Sequence, residues 1–460
     1  MAIPDDELIY RFSNSQPLPF SDQALYVQNQ ACFYLWEKNV YKILLDENIR
    51  QRIWNFLTKE KKAGLLPLDL NITANRVNGL LEALRLDHKR CCENTCNSLI
   101  SFNDGKILDL EKFELLQTSP NIHSFFSINV PSSVIHEIPN CPRFKTFLNE
   151  ILVLNDGITP DEELIDFVQD LFGYCLTGSI SAHATFFFLG SGRNGKSVLL
   201  NVLRQLIGEQ YISNMTIQTL TTNRFAAANL MGKKLNIASE EESKHIRSDI
   251  FKGMVAGDRM TIERKYQAPV EMTPAIKFLF ATNQIPVFDS TDSAINERVF
   301  VIPFNRYFKD SERDPELTKT LLSEIGGIFG WALEGAKRII ANKYKFKIPK
   351  SIKETKQKFS EEQSSVMMFL TENYTVTGNQ LDDFEVKAVM YGFYKDWCYT
   401  NGRQPKSNEN FFKDIKDVNR DLVNLNAKRI LHEKETRVIT GIKKTEDESA
   451  FVNNPVRYAH

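Results

Sequence analysis

The 460-residue sequence has no apolar run long enough to cross a bilayer, so no membrane-spanning helix is expected. Its first residues, Met-Ala-Ile-Pro-Asp-Asp-Glu, carry neither the basic start nor the apolar stretch of a secretory signal. Cysteine is scarce. The seven present, an odd number scattered along a long chain, argue against a disulfide framework and for free thiols in a reducing compartment. The one local cluster, His88, Cys91, Cys92 and Cys96, lacks the paired Cys-x-x-Cys knuckles of a zinc site. There is no bulk charge either. At a net −1, any nucleic-acid binding must come from local patches. Internal repeats and long low-complexity segments are also missing. What remains is ordinary globular composition, 42% hydrophobic and 25% charged, with length enough for roughly two to four domains.

Against this plain background one segment stands out. Residues 190–197 read Gly-Ser-Gly-Arg-Asn-Gly-Lys-Ser, between the apolar runs Ala184–Leu189 and Val198–Leu203. Strand, glycine turn and helix are the setting of a phosphate-binding loop. Gly190, Gly192 and Gly195 let the backbone curl so that successive N–H groups point at phosphate oxygens, and the helix N-terminus adds partial positive charge. Arg193 and Asn194 complete the loop. Lys196 has the reach for the β- and γ-phosphates, and the Ser197 hydroxyl suits Mg²⁺. The substrate class is a nucleoside triphosphate.

Around the loop, strands and helices alternate from residue 184 to 304. Strand candidates are Thr185–Leu189, Lys234–Ala238, Ala275–Ala281 and Val299–Phe304, a pattern that predicts a mainly parallel sheet covered by helices. Upstream, Ile53, Phe56 and Leu57, then Val77, Leu80, Leu81 and Leu84, recur at helical spacing within residues 30–90. Residues 98–137 are more strand-like, with a turn at Asn103-Asp-Gly105. Helices are expected from Cys141-Pro-Arg-Phe144 onward, from Asp161 to Leu176 with a stop at Gly178, and over 315–342. Residues 343–358 hold seven lysines and one glutamate around Pro349, a basic linker or exposed face. Residues 364–460 predict a small separate domain, with helices around 366–373, 385–400 and 407–419 and a hairpin of Lys428–Leu431 with Arg437–Ile442.

A triphosphate hydrolase needs more than a phosphate loop. Gly232-Lys-Lys-Leu-Asn-Ile-Ala-Ser239 runs into Glu240-Glu241-Glu242, and an apolar strand ending in carboxylates suits a Mg²⁺ ion and an attacking water. Glu240 and Glu241 are the favoured pair, with Glu242 the alternative; a solvated acidic helix start would use the same residues. Ile276–Asn283 is a strand ending in an amide, and Asn283 falls at the sheet edge where a nucleotide would lie. Arg298, just before the strand Val299–Ile302, offers a fork of donors as an arginine finger on a neighbouring subunit's nucleotide, or simply pairs with Glu297. Between these strands, Gly257–Tyr266 reads as a hairpin tipped by Arg264, Lys265 and Tyr266, cations beside an aromatic ring as a nucleic-acid contact requires, or a solvated basic turn.

Gly190–Ser197, Glu240–Glu242, Gly257–Lys265, Asn283 and Arg298 in one compact block resemble the superfamily 3 helicases of viruses, phages and plasmids, most of all the poxvirus-type and phage/plasmid primase–helicases. Asn103–Leu110, Cys141-Pro-Arg-Phe144 and Phe172–Thr177 resemble the domain that precedes the ATPase in that branch. Phe393–Cys398, Asn401-Gly402 and Phe411-Phe412 resemble its C-terminal winged-helix region. The resemblance covers roughly residues 45–445. It implies a hexameric ring of AAA+-type modules around DNA, ATP bound between subunits, and translocation, typically 3′ to 5′. Lys196 and Ser197 would then hold phosphate and Mg²⁺, Glu240 and its neighbour the metal and water, Asn283 would be the sensor, Arg298 the finger in trans, and Arg264 with Lys265 the DNA-tracking hairpin.

The resulting expectation is an α/β chain: a mainly helical N-terminal domain over 1–150, an AAA+-type P-loop core over 151–342, a basic linker over 343–363 and a winged-helix-like domain over 364–460. Its expected activity is that of an ATP- and Mg²⁺-dependent replicative helicase on single-stranded and forked DNA. The alternative is an ATP-regulated initiator or loader that does not unwind. A metabolic kinase fits poorly, since the carboxylates, Asn283 and Arg298 suit hydrolysis across subunits better than transfer to a small acceptor. Residues 1–140 show no Asp-x-Asp constellation for two metals, so no primer synthesis by this chain is expected, and a separate primase or polymerase is an expected partner. The expected location is the cytoplasm of a bacterial host or a viral replication site.

Overall fold

The computed structural model describes residues 3–15, 20–30, 32–67, 69–87, 91–92, 98–240, 245–246, 248–264, 267–283, 287–288, 297–363, 365–401, 403, 405–419, 422–431 and 434–445. The chain divides into two compact units, Met1–Pro286 with Glu297–Thr355, and Val287–Asn296 with Lys356–His460. Among the described residues no helix is long and apolar enough to cross a membrane.

The first unit opens with helix α1 (Asp5–Ser13) and an antiparallel ribbon of β1 (Ala24–Val27), β2 (Cys32–Glu37) and β3 (Val40–Leu44). The β2–β3 turn has two residues, Lys38 and Asn39, both at positive φ (48° and 69°), the pairing that matches strand twist in a type I′ turn. Helices α2 (Asp46–Lys62) and α3 (Ala74–Asp87) bury Ile49, Ile53 and Leu57 against Val77, Leu81 and Leu84, as the helical spacing requires. Strand β4 (Cys91–Cys92) adds to β1 in parallel. A second sheet follows, of β5 (Leu99–Phe102), β6 (Lys106–Asp109), β7 (Glu114–Gln117) and β8 (Ser127–Ile128), in the order β7-β6-β5-β8. The expected turn lies between β5 and β6, with Gly105 at φ 84°. Residues 1–150 are therefore mixed α/β rather than mainly helical. The helical spacing was real at 46–87, but the aromatic-rich stretch 24–44 buries rings on both sides of a ribbon, which helical periodicity does not describe.

Helix α4 (Pro142–Ile151) and helix α5 (Glu162–Leu176) lead to the central sheet, Asp161 capping α5 by accepting from the Leu164 amide at 3.0 Å. The sheet holds β9 (Thr185–Leu189), β10 (Ile212–Ser213), β11 (Leu235–Glu240), β14 (Lys277–Thr282) and β15 (Val299–Pro303), all parallel, ordered β10-β11-β14-β9-β15. Helix α6 (Lys196–Ile207) follows β9, and helix α7 (Ser248–Ala256) leads into a hairpin of β12 (Met260–Arg264) and β13 (Gln267–Met272). Strands β9, β14 and β15 are buried almost throughout, as strands covered on both faces must be. Helices α8 (Leu317–Ser323) and α9 (Ile325–Ala341) complete the layer. One core cluster takes in Phe102, Phe144, Phe186, Leu279, Phe329 and Ile352, so no break in packing falls between residues 150 and 151. Downstream, Lys343, Lys345 and Lys347 are exposed, while the alternate residues Tyr344, Phe346 and Ile348 pack against that core.

The second unit has helices α10 (Ser365–Asn373), α11 (Lys387–Thr400) and α12 (Asn408–Val418). Strand β16 (Tyr374–Val376) pairs with β20 (Ile442–Lys444), and β17 (Phe384–Val386), β18 (Lys428–Leu431) and β19 (Lys434–Thr440) form a sheet ordered β17-β19-β18. Its aromatic residues are core. Tyr394 and Phe411 stack with ring centroids 4.4 Å apart, beside Phe369 and Cys398.

Candidate nucleotide-binding site

The site forms where the parallel strands end. Leu189, the last residue of β9, lies opposite Thr282 of β14, and Thr282 lies opposite Glu240 of β11. The Gly190 amide donates to the Thr282 carbonyl at 3.1 Å, tying the start of the loop to the tip of the neighbouring strand. The loop then turns through positive φ at Gly192 (95°), Arg193 (50°) and Gly195 (86°). Glycine is required at Gly195 on two counts: its φ, and the Ile151 and Phe147 side chains that a Cβ would strike. At Gly190 a Cβ would sit 2.8 Å from the Phe304 carbonyl.

Helix α6 begins at Lys196 with Gly195 as its N-cap, so the unpaired N–H groups of its first turn open onto the loop. Lys196 is 6% exposed, and its ammonium donates to the Gly190 carbonyl and to Asn194 Oδ1. Burial pushes its pKa down to about 8. Ser197 is exposed on the same mouth.

The far wall comes from distant segments. The Phe308 amide donates to the Arg193 carbonyl at 2.8 Å, and the Arg193 guanidinium pairs with Asp310 at 3.0 Å. Helix α4 supplies Phe147 and an Arg143–Glu150 ion pair at 3.3 Å. Together these enclose a cleft of about 640 Å³ lined by Gly192–Ser197, Ser239, Asn283, Phe308 and Arg313 among others, a volume suited to a nucleotide. The α4 and 308–317 walls were not read from the sequence as site residues. Cys141-Pro-Arg-Phe144 carried a family resemblance, but nothing local tied it to the phosphate loop.

The cleft brings together the phosphate loop, Asn283 (exposed, one residue beyond β14) and the end of β11 at Glu240. Arg298 is not among them. It precedes Val299, which lies opposite Thr185 at the start of β9, so it sits at the other edge of the sheet, roughly 16 Å from the loop at about 3.3 Å per residue.

Similarity to known proteins runs through this block. A family model described as "Family of unknown function (DUF5906)" matches residues 188–298. "Putative helicase L207/L206" of Acanthamoeba polyphaga mimivirus is 30% identical over 171 residues, 35% of this chain and 18% of that protein. "Putative helicase 184R" of Invertebrate iridescent virus 6 is 23% identical over 335 residues, 64% of this chain and 34% of that protein. "Uncoating factor OPG117" of Vaccinia virus (strain Western Reserve) is 27% identical over 232 residues, 46% of this chain and 27% of that protein. The chain belongs to the poxvirus-type branch of superfamily 3. It spans about a third or less of the length of these relatives. A solved structure, "The A form apo structure of NrS-1 C terminal region-CTR", aligns over 91% of this chain and 95% of its own, at 14% identity and a TM-score of 0.48.

Other expected sites of this superfamily 3 chain fall at the limits of the described residues. Glu240 closes β11 and Arg264 closes β12, where it pairs with Gln267. Glu241, Glu242, Lys265 and Tyr266 lie outside the described residues, as do His88 and Cys96 of the cysteine cluster. The hairpin that bears Arg264 is present, with Ile262 fully buried at its base.

Proposed function

We propose that the chain is the ATP-driven motor of a replicative DNA helicase from a virus, phage or mobile element. One observation carries the reading: a nucleotide-sized cleft in which the Lys196 loop, Asn283 and the carboxylate-ended strand β11 converge on one sheet edge. The strand order supports an AAA+-type core, because β14 stands between the phosphate-loop strand and the carboxylate strand and delivers Asn283 between them. The donor set fits Mg–ATP: an exposed serine hydroxyl at a helix N-terminus, facing a strand that ends in Glu240. Mg²⁺, when bound, neutralises charge on the β- and γ-phosphates.

Lys196 leaves the Gly190 carbonyl for the phosphates, and the α6 amides cradle them. Ser197 and Glu240 hold the ion, Glu241 or Glu242 orients water, and Asn283 senses the γ-phosphate. Arg298, at the wrong edge for its own cleft, reaches the cleft of the next subunit in a ring, by this reading a hexamer. The β12–β13 hairpin, with Arg264, Lys265 and Tyr266, tracks single-stranded DNA, 3′ to 5′. The second unit, with its own core of helices and a β18–β19 hairpin, acts as a winged-helix-like DNA contact. That unit also favours a second reading, an initiator or loader that binds DNA under ATP control without unwinding.

The test is DNA-stimulated ATP hydrolysis and fork separation by wild type and Lys196→Ala. Wild type should do both and the variant neither. Unwinding by the variant at the wild-type rate sinks the motor reading. ATP-dependent DNA binding by wild type without strand separation selects the loader.

A further inference from the structure

A second cleft lies in the first unit, away from the ATP site. It encloses about 270 Å³ where the N-terminal ribbon meets the central sheet. Gly178, just past α5, Lys234, just before β11, and Ala275, just before β14, form its floor, so it opens at the edge of the sheet opposite the phosphate loop. The base of the β12–β13 hairpin lies at that same edge, four residues before β14.

The lining has a marked chemistry. Five aromatic rings, Tyr34, Tyr41, Phe125, Phe126 and Tyr211, form its walls. They brace one another edge to face: Tyr34 on Phe125 at 5.1 Å and Phe126 on Tyr211 at 5.2 Å between centroids. Their hydroxyls are held by partners, Tyr41 donating to the Pro120 carbonyl at 2.7 Å and Tyr34 to Gln30 at 2.6 Å, so the rings are fixed in place. Three lysines join them, Lys42, Lys233 and Lys234, and no carboxylate lines the cleft. In a chain of net charge −1 that is a local excess of one sign. Lys234 lies over the Phe126 ring at 4.5 Å, and Lys42 is exposed at the rim. Lys233 is partly withdrawn from water, which lowers its pKa, a cost that an anion beside it would reverse.

Fixed aromatic faces beside unopposed cations are what a flat base attached to a phosphate requires. The volume accepts one nucleotide unit and not a triphosphate-sized ligand with its metal. We propose that this cleft binds a nucleotide unit, its base against the aromatic walls and its phosphate on Lys42 and Lys233. A unit within single-stranded DNA and a free mononucleotide share that chemistry. The DNA source rests on the helicase reading and would place a strand-holding point beside the hairpin; the free nucleotide does not depend on it.

The experiment uses the full chain. A fluorescent oligothymidylate is titrated at several salt concentrations with wild type and Lys42→Gln/Lys233→Gln. Its counterpart carrying 4-thiothymidine is photo-cross-linked to wild type and the peptides are mapped. In parallel, dTMP binding is measured by equilibrium dialysis with the Lys196→Ala chain, with and without the two glutamine substitutions. The expected result is cross-links on the peptides bearing Tyr34, Tyr41 or Tyr211. The double variant should bind DNA at least about tenfold more weakly, with a salt slope reduced by about 1.4, or 0.7 per lost phosphate contact. Nucleotide binding at the Lys196 loop should be unchanged. Loss of dTMP binding in the double variant, without DNA binding by wild type, assigns the cleft to free nucleotide and removes the helicase reading. Cross-links confined to the 260–272 hairpin, with affinity and salt slope unchanged, overturn the cleft and leave the helicase reading standing. No binding of either ligand by wild type overturns both.

Discussion

Lys196 must hold phosphate, yet in the nucleotide-free fold it is tied back onto its own loop. Its ammonium sits on the Gly190 carbonyl and Asn194 Oδ1, buried, with a pKa lowered to about 8 from an ordinary 10.5. The direction has two consequences. For folding, the burial cost is fully present below about pH 8 and fades as pH rises toward 10.5, so this group makes the empty protein more stable across that window. For binding the sign reverses. A triphosphate favours the ammonium, so above about pH 8 it must bring a proton with it, and affinity should fall by up to about tenfold per pH unit. Calorimetry at pH 7.5 and 9.5, in buffers of different ionisation enthalpy, should show weaker binding and proton uptake at the higher pH. Equal affinity without uptake would mean that Lys196 does not change state on binding. Asn194, 3% exposed, is the residue that holds Lys196 in the loop from the side.

At the scale of elements, two glycines set how closely helices α5 and α9 approach. A Cβ at Gly335 would meet the Gln169 carbonyl and the Asp170 amide, and one at Gly173 would meet the backbone of Ala336. Backbone cannot swing aside as a flexible side chain can. Gly173→Ala and Gly335→Ala should each destabilise the first unit by ~1–3 kcal/mol, read as a lower urea midpoint. Lys347→Ala, on the exposed side of the 343–349 strip, should stay within about 0.5 kcal/mol. Wild-type midpoints for both glycine variants would refute the close packing. Elements of this kind were readable in advance wherever the signal was local. The strand Thr185–Leu189 has the bounds its apolar run predicts, because a strand buried on both faces and closed by glycine leaves little choice. The ribbon β1–β3 was missed because its turn, Lys38-Asn39, carries no glycine, and its aromatic residues suit several periodicities. The site divides in the same way. The loop and the strand tips are contiguous in sequence, whereas Phe147 and Arg143 reach the cleft only because α4 folds back across more than forty residues. No periodicity encodes that.

For the whole molecule, the decisive fact is that Arg298 and the phosphate loop lie at opposite edges of one sheet. Strand β15 begins beside Thr185 and ends beside Leu189, so a side chain at residue 298 faces away from the cleft its own chain forms. If Arg298 takes part in hydrolysis, the site is shared, and the repeating head-to-tail contact this demands closes into a ring or runs on as a filament. A mixing experiment separates the cases. Lys196→Ala removes the phosphate grip and Arg298→Ala the finger, so each homogeneous variant should lack ATPase activity. Mixed one to one before assembly, they create interfaces in which an intact Lys196 meets an intact Arg298 from the neighbour. Random assembly makes about a quarter of the sites whole in this way, and ATPase should return to about that fraction of wild type. If Arg298 served its own cleft, every subunit would remain defective in one group or the other, and no mixture would recover activity. If Arg298→Ala alone hydrolyses ATP at the wild-type rate, the arginine has no part in the chemistry, and the cleft must find its transition-state charge elsewhere, with Arg143 and Arg313 the guanidinium groups already on its wall.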